Sequence, residues 1–387
     1  MRDGWQVVTL GAVCTISKGT SPTQKTPPGP FPLIVTGPQP LSSNTFQFEG
    51  EAVCVPLVSS TGHGHASIKR VHYARGKFAV ANIIAACSPR EAKKLDARYL
   101  FLYLQQFKDA EIVTRMKGTA NVSLSITNLA SVPVILPPLD EQQRIVDLIA
   151  AVDDAAEAAE AEKDQFDAVR ASQGSAEYAR DERSELRELG STLTGATPAT
   201  GRPDYWEGGE VPFITPGDLD FRGIMLSRAS RAVSTDGAAS TRRLLDPWAV
   251  VQTCIGATFG KVAYTGVAAL TNQQINALQL TNSVDAAYAA LALASPIGQA
   301  AIASRAASST MPIVNKRAWS RISIPWPDSE SRGRVVRVAQ GLEDAADAAC
   351  ATAEVLRALR SNLLTVLLAG AHEIPSSYDS LLDGEAT

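Results

Sequence analysis

The side chains in this chain with the clearest capacity for chemistry are hydrogen-bonding and cationic rather than nucleophilic. Asn272-Gln273-Gln274 sets three carboxamides in a row, each able to make the paired donor and acceptor bonds that fit an adenine edge. Lys69-Arg70, Arg75 and Lys77 in the first half, and Arg242-Arg243 and Lys261 in the second, fall on expected loops or strand ends. From there phosphates can be reached, and an arginine can also pair with guanine. Any one of them alone is what a solvated surface carries, but both halves place them at comparable points. With the loop histidines His63 and His65 they make up the candidate nucleic-acid contact set.

Other chemistries fit less well. Gly256-Ala257-Thr258-Phe259-Gly260-Lys261 has the look of a phosphate loop, yet only three residues separate its glycines and Val262 follows the lysine where Ser or Thr is required. The run Lys261-Val262-Ala263-Tyr264 continues as a strand, so the glycines are expected to form a hairpin that brings backbone close to a ligand, with Lys261 available to a phosphate. His63-Gly64-His65 has alternate spacing without a third ligand nearby, which does not make a metal site. The remaining histidines, His72 and His372, supply no base for a serine nucleophile, and neither a nucleophile elbow nor a dinucleotide-binding glycine fingerprint is present. No catalytic constellation is expected in this chain.

The elements that must position these groups are two long helices, each behind a proline-rich brake. Leu136-Pro137-Pro138-Leu139-Asp140 disfavours helical dihedrals and then offers Asp140 as a cap, with Gln143 three residues on as in a capping box. Ile145, Val152, Ala159 and Phe166 follow at seven-residue steps, with Leu148/Ile149, Ala155/Ala156 and Val169 near the intervening position. After Pro325-Trp326-Pro327-Asp328 the same step recurs in Val335, Leu342, Ala349, Leu356 and Leu363, with Val338, Ala345, Leu359 and Val366 as the second row. Each is a seam for a partner helix, and the two are expected to be each other's partner.

Charge follows the same division. The net charge is −4, but residues 1–139 hold 14 Lys+Arg against 7 Asp+Glu and residues 183–327 hold 13 against 10, while 140–182 hold 4 against 13 and 328–387 hold 5 against 10. Basic globular parts can hold a polyanion, and acidic helices are suited to protein partners.

The two brake-and-helix units lie about 190 residues apart, which points to an internal repeat. Leu10-Gly11-Ala12-Val13 to Gly19-Thr20-Ser21-Pro22 is echoed by Leu189-Gly190-Ser191-Thr192 to Gly195-Ala196-Thr197-Pro198. Pro32 to Pro38 matches Pro212 to Asp218, and Ala52-Val53-Cys54-Val55 matches Ala249-Val250-Val251-Gln252. Strands are expected at Val53–Val58, Phe78–Ala85, Val211–Ile214 and Trp248–Thr253, and helices at Ala97–Phe107 and Ala286–Ala294. The expected organisation is an α+β domain over 1–139, a spacer helix over 140–182 with a helix end or short linker suggested at Gly174-Ser175, a second α+β domain over 183–327, a helix over 328–370 and a mobile tail over 371–387. The five widely spread cysteines suit reduced, buried thiols. With no run of eighteen apolar residues and no secretory profile at Met1 to Trp5, the chain is expected in the cytoplasm and away from membranes.

The Pro-Pro-Leu-x-Glu-Gln-x-x-Ile-Val pattern at Pro137–Val146, the Trp5 to Gly11 opening, Gly260-Lys261-Val262-Ala263 with Asn272-Gln273-Gln274 after it, and the twofold repeat together resemble the specificity subunit of Type I restriction-modification systems. The second junction departs from the pattern, with Trp326 in place of a second consecutive proline. The resemblance implies two target recognition domains, each reading one part of a split site in double-stranded DNA, and two long helices paired antiparallel as a ruler. The stretch from Asp140 to Ser172 would be about 50 Å long at 1.5 Å per residue. It also implies two modification subunits that methylate adenine from S-adenosylmethionine, and restriction subunits that use ATP and Mg, with no cofactor in this chain. Two other readings are a self-contained restriction-methyltransferase, which needs an Asn/Asp-Pro-Pro-aromatic motif that is absent, and a coiled-coil scaffold with two protein-binding domains.

Overall fold

The computed structural model describes residues 2, 4–61, 64–177, 182–306 and 312–378, leaving aside the side chains of 171–177 and 376. The chain divides into two units, Met1–Ala159 with Ala351–Thr387, and Glu160–Cys350.

The first unit runs β1 (Gln6–Thr9), α1 (Leu10–Val13), β2 (Cys14–Lys18), β3 (Phe31–Ile34), β4 (Leu41–Ser43), β5 (Phe48–Pro56), β6 (His72–Val80), β7 (Ile84–Pro89), α2 (Ala97–Phe107), α3 (Ile126–Ala130), β8 (Pro133–Leu136) and the start of α4 (Leu139–Glu177). Its main sheet has the order β2-β7-β5-β6-β3-β4, and β1 pairs separately with β8. Small and β-branched residues from Ala52 to Val55 are buried on both faces, which is why this strand lies in mid-sheet. One side packs on α2, whose Asp96 cap accepts from the amides of Arg98 and Tyr99 and whose Tyr99, Leu100, Tyr103 and Leu104 turn inward. That core also takes in Ile145, Ile149, Leu364, Leu367 and Leu368.

In the second unit come β9 (Arg183–Glu185), α5 (Leu186–Leu189), β10 (Ser191–Thr194), β11 (Val211–Ile214), β12 (Met225–Leu226), β13 (Ala232–Val233), α6 (Thr235–Thr241), β14 (Ala249–Thr253), β15 (Val262–Thr265), β16 (Leu270–Thr271), β17 (Ile275–Gln279), α7 (Ser283–Ala294), α8 (Pro296–Ser304), α9 (Lys316–Trp319), β18 (Ser323–Pro325) and the start of α10 (Ser329–Leu368). The sheet order is β10-β17-β14-β15-β12, beside β13-β11-β16 and the pair β18-β9. Its core centres on Tyr288, Leu293 and Trp319.

The two units repeat one plan bond for bond. Gly19 N donates to Ile84 O at 2.8 Å and Gly195 N to Ile275 O at 3.0 Å; Leu57 N donates to Ile83 O and Cys254 N to Gln274 O, both at 2.8 Å. The parallel pairs Leu33 with Ala79 and Phe213 with Leu270 confirm the Pro32 and Pro212 correspondence. The matched register of Pro56 with Ile84 and Thr253 with Ile275 confirms that of Ala52 and Ala249. The earliest pairing needs correction by three residues. Leu10 N donates to Val132 O and Leu186 N to Ile322 O, so Leu10 corresponds to Leu186, not to Leu189. Phe78–Ala85 is likewise not one strand, because Ala81-Asn82-Ile83 turn between β6 and β7.

The first long helix begins at Leu139, so Asp140 lies inside the first turn and pairs with Arg144 at 3.3 Å instead of capping. The buried Gln142 holds this start. Its Nε2 donates to Lys94 O and Pro137 O, and its Oε1 accepts from Asp96 N. The second start is a true cap, Asp328 accepting from Ser331 N and Oγ. There Trp326 lies edge-on to Tyr288 and under the Arg332 guanidinium, which is paired with Asp285. Helix α4 continues through Gly174-Ser175 to Glu177. Past α10, Ile374 returns to the first core and Arg2 reaches His372 O and Glu373, so the start of the expected tail is anchored; residues 379–387 lie outside the described residues.

Within the first unit the long helices run antiparallel, Asp153 meeting Arg360 while Ile145 and Ile149 share a core with Leu364, Leu367 and Leu368. Within the second, Lys163 lies by Cys350 and Arg170 by Glu343. Ile145, Ile149, Val152, Ala159 and Ala349 are buried, and Phe166, Val335, Leu342, Leu356 and Leu363 half-buried. The second row on α10 is displaced from the expected one. Val338, Leu359 and Val366 are 46%, 43% and 38% exposed, whereas Ala346, Ala353 and Leu367 are buried. On α4 the intervening row is Ile149 and Ala156, with Ala155 and Val169 outside. In the middle of α10 the inward row is made of Ala346 and Ala353, whose small side chains allow close backbone approach.

Gln142→Leu should cost roughly 2–4 kcal/mol in chemical denaturation by stranding the buried Pro137 O and the part-buried Lys94 O and Asp96 N, while the exposed Gln143→Leu should stay within about 0.5 kcal/mol. Burial raises the Glu343 carboxyl above its ordinary range despite Arg170 and Arg222 nearby. A raised carboxyl weakens the fold as pH climbs from its unfolded value, about 4.3, through its native one. Thermal melts of Glu343→Gln should therefore exceed wild type at pH 7–8 and match it near pH 4.

Candidate nucleic-acid interface

In the second unit three chain segments meet at one end of the sheet. Thr253 ends β14 opposite Ile275, which begins β17, and Thr194 ends β10 opposite Asn276. This assembles Thr197, the turn Asn272-Gln273-Gln274 and the hairpin Gly256–Lys261. Asn272 is largely committed to the turn: its Oδ1 accepts from Gln274 N at 3.0 Å and its Nδ2 donates to Gln274 Oε1 at 3.1 Å. Gln273 stands exposed at the apex, its Oε1 accepting from Thr197 Oγ1 at 2.8 Å and leaving its Nε2 outward. Gly195 permits this packing, since a Cβ there would lie 2.1 Å from Thr271 Oγ1. Lys261 is half-buried beside the same turn, its backbone N bonded to Thr253 Oγ1. The close approach at Gly260 is to Gln299, whose Nε2 donates to Gly260 O, so that glycine is explained by packing instead of by a ligand.

Arg242-Arg243 do not join this group. They follow α6, with Arg242 at φ 54°, and Asp246 N bonds the side chain of Gln279 at the far end of β17. Both arginines are exposed and form a second basic patch with the exposed Leu244 between them and the core.

The first unit presents the corresponding sheet end. The turn equivalent to Asn272-Gln273-Gln274 is Ala81-Asn82-Ile83, with Asn82 exposed where Gln273 stands. Sequence reading overlooked Asn82. The signal was the register of Val80-Ala81-Asn82-Ile83-Ile84 against Thr271 to Ile275, hidden because only one carboxamide is shared. The β5–β6 loop carries His65, Lys69 and Arg70, braced by Ser59 Oγ donating to His65 O at 2.5 Å and Ser60 N donating to Ser67 O at 2.9 Å. His63 lies outside the described residues. Lys69, Arg70, His72, Tyr73, Phe101 and Gln105 border an open cleft of about 530 Å³. His72 Nε2 is buried there without a partner, and burial and the Arg70 charge hold the imidazole below its usual range, so it is neutral at pH 7. Burial and the Glu51 carboxylate push the Tyr73 hydroxyl up to about 12. Arg75 and Lys77 project from mid-strand on β6, away from this loop; Arg75 lies 3.9 Å from Glu51 and Lys77 stacks 4.9 Å from the Phe46 ring centre.

Among the described residues no group of three or more His, Cys, Asp or Glu side chains could hold a metal ion, and no single helix is long and apolar enough to cross a membrane. Each unit thus offers an exposed carboxamide, Asn82 or Gln273, with Lys69 and Arg70 or the half-buried Lys261 on a neighbouring loop, a surface for hydrogen bonding and for anions.

A family model described as the Type I restriction modification DNA specificity domain matches residues 2–165 and 182–344. The Type I restriction enzyme MjaIX specificity subunit of Methanocaldococcus jannaschii is 24% identical over 161 residues, 41% of this chain and 37% of that protein, so the aligned stretch spans little more than a third of the relative. Among solved structures, the S subunit of a Type I system from M. genitalium aligns over 94% of this chain and 96% of its own at 15% identity and a TM-score of 0.54. A chain from a study of complex assembly and conformational transition in the type I R-M system aligns over 95% and 98% at 14% identity and a TM-score of 0.61. The HsdS subunit of Thermoanaerobacter tengcongensis aligns over 96% and 98% at 15% identity and a TM-score of 0.53. At these identities the likeness is one of fold, but the family model covers both repeats, and the chain belongs to the Type I restriction-modification DNA specificity family.

Proposed function

We propose that this chain is the DNA-reading subunit of a Type I restriction-modification complex, in which residues 1–139 and 183–327 each read one part of a bipartite site. The observation that carries the reading is the matched sheet end of the two units, which sets Asn82 and Gln273 at equivalent exposed turn positions beside loops bearing Lys69, Arg70 and Lys261. The charge distribution supports it, with basic globular segments and acidic helices. The long helices α4 and α10 act as the spacer, and their outward apolar and acidic residues face protein partners. Those partners are two modification subunits that transfer a methyl group from S-adenosylmethionine to adenine, and restriction subunits dependent on ATP and Mg. The complex works on cytoplasmic DNA.

Sequencing the methylome of a host with and without the gene, with its modification subunit active, should show loss of one bipartite adenine motif; an unchanged methylome would refute the reading. Exchanging residues 183–327 for the domain of another family member should change one half of the motif only. Inserting a heptad into both helices should lengthen the unread spacer by about 10 Å, roughly three base pairs, with both halves kept. Lys69→Gln with Arg70→Gln should weaken binding of all sequences alike and reduce the slope of log affinity against log salt by about 1 per lost phosphate contact, read by titration of the assembled complex.

A further inference from the structure

Because the two units share their sheets and turns, discrimination between different half-sites must come from segments in which they differ. The largest difference is the connection from the parallel strand to the next central strand, residues 35–47 in the first unit and 215–248 in the second: β13 pairs with β11 as β4 pairs with β3, whereas β12 and α6 have no counterpart in the first unit. Of the exposed arginines in and beside that insertion, Arg202 is bound in two bonds to Asp204, and Arg222 to Asp220. Arg228, Arg231, Arg242 and Arg243 meet no carboxylate among the described residues, and only Arg231 is held by other means.

Arg231 lies with its Cζ 4.1 Å from the Trp206 ring centre and 5.6 Å from that of Phe213. The two rings pack edge-on at 5.1 Å and 87°, and Trp206 Nε1 donates to Ala199 O. The backbone on either side is also fixed: Arg231 O accepts from Phe213 N at 2.9 Å, and Ser230 N donates to Asp218 Oδ1 at 2.7 Å. Asp218 is itself bonded to Thr215 N and Oγ1. A guanidinium shelved on aromatic faces loses little freedom on binding, and its exposed edge keeps the planar fork that matches two acceptors. The first unit also holds a cation over a ring, Lys77 over Phe46, which packs 5.0 Å from Phe31, but Lys77 stands on β6 and the position matching Arg231 is Leu41. A lysine offers a point charge instead of a fork, so the two units differ in what they can select.

We propose that Arg231 is a specificity-determining residue of the second unit, its guanidinium donating to O6 and N7 of a guanine in the half-site read by residues 183–327. This rests on the DNA-reading function proposed above. The test is methylome sequencing of hosts carrying the full complex with Arg231→Ala or Arg231→Lys, the half-site of the second unit having been assigned by the domain exchange. Both variants are expected to lower discrimination at one guanine position by about tenfold or more, with every other position kept. Lysine should not restore it, because one ammonium cannot span both acceptors. A uniform fall in methylation with the motif intact, restoration by lysine, an unchanged methylome in both variants, or a half-site without guanine would each overturn the proposal. If the alanine variant folds poorly, as read by thermal melting, the lysine variant carries the test alone. Failure of the broader reading is separable, since deletion of the whole gene would then leave the methylome unchanged.

Discussion

A single buried carboxamide fixes where the first long helix begins, and the first unit is assembled around it. Gln142 is fully buried, and its bonds to Lys94 O, Pro137 O and Asp96 N tie the entry to α2, the proline brake and the helix start together. Next to it Glu141 accepts from Trp5 Nε1 at 2.8 Å and pairs with Arg2, which also reaches Glu373. The entry to α2, the start of α4 and, through Arg2, the segment His372-Glu373 are therefore tied to two consecutive side chains. Burying so many polar groups is tolerable because nearly every donor and acceptor there has a partner.

The second unit solves the same problem with different chemistry. Asp328 caps the helix, its carboxyl held below the usual range by the Ser331 amide and hydroxyl, and Trp326 is clamped between Tyr288 and Arg332. What the units share is backbone: the bonds of Gly19 and Gly195, of Leu57 and Cys254, and of Leu10 and Leu186 are the same bonds. Backbone bonds do not depend on side-chain identity, so a scaffold built on them can hold its shape while loops diverge.

Function follows from where side chains are left over once the scaffold is satisfied. Asn272 and Gln274 largely satisfy each other, Arg202 is spent on Asp204, and Gly260 accommodates Gln299. Gln273, Asn82, Lys69, Arg231 and the Arg242-Arg243 pair remain outward, on loops and turns that rigid strands present. Outward hydrogen-bonding and cationic groups of this kind suit recognition of DNA, the role of the family to which the chain belongs.

The sequence by itself determined the α+β class, the twofold plan, the two helix starts to within a residue, and most strands, because each rests on local rules: proline before a helix, apolar period, β-branched runs. It also singled out the carboxamides Asn272-Gln273-Gln274 and put Lys69-Arg70 on a loop or strand end, where the structure has a turn and a loop. Only the tertiary structure decided which apolar row of each long helix faces inward, since Val338 and Ala346 are both compatible with a heptad and the choice depends on how closely two backbones approach. The same holds for the three-residue shift of Leu10 onto Leu186, the separation of Arg242-Arg243 from Lys261, and the shelf of Trp206 and Phe213 under Arg231. Each depends on contacts between residues distant in the chain, and short spacing rules carry no information about those.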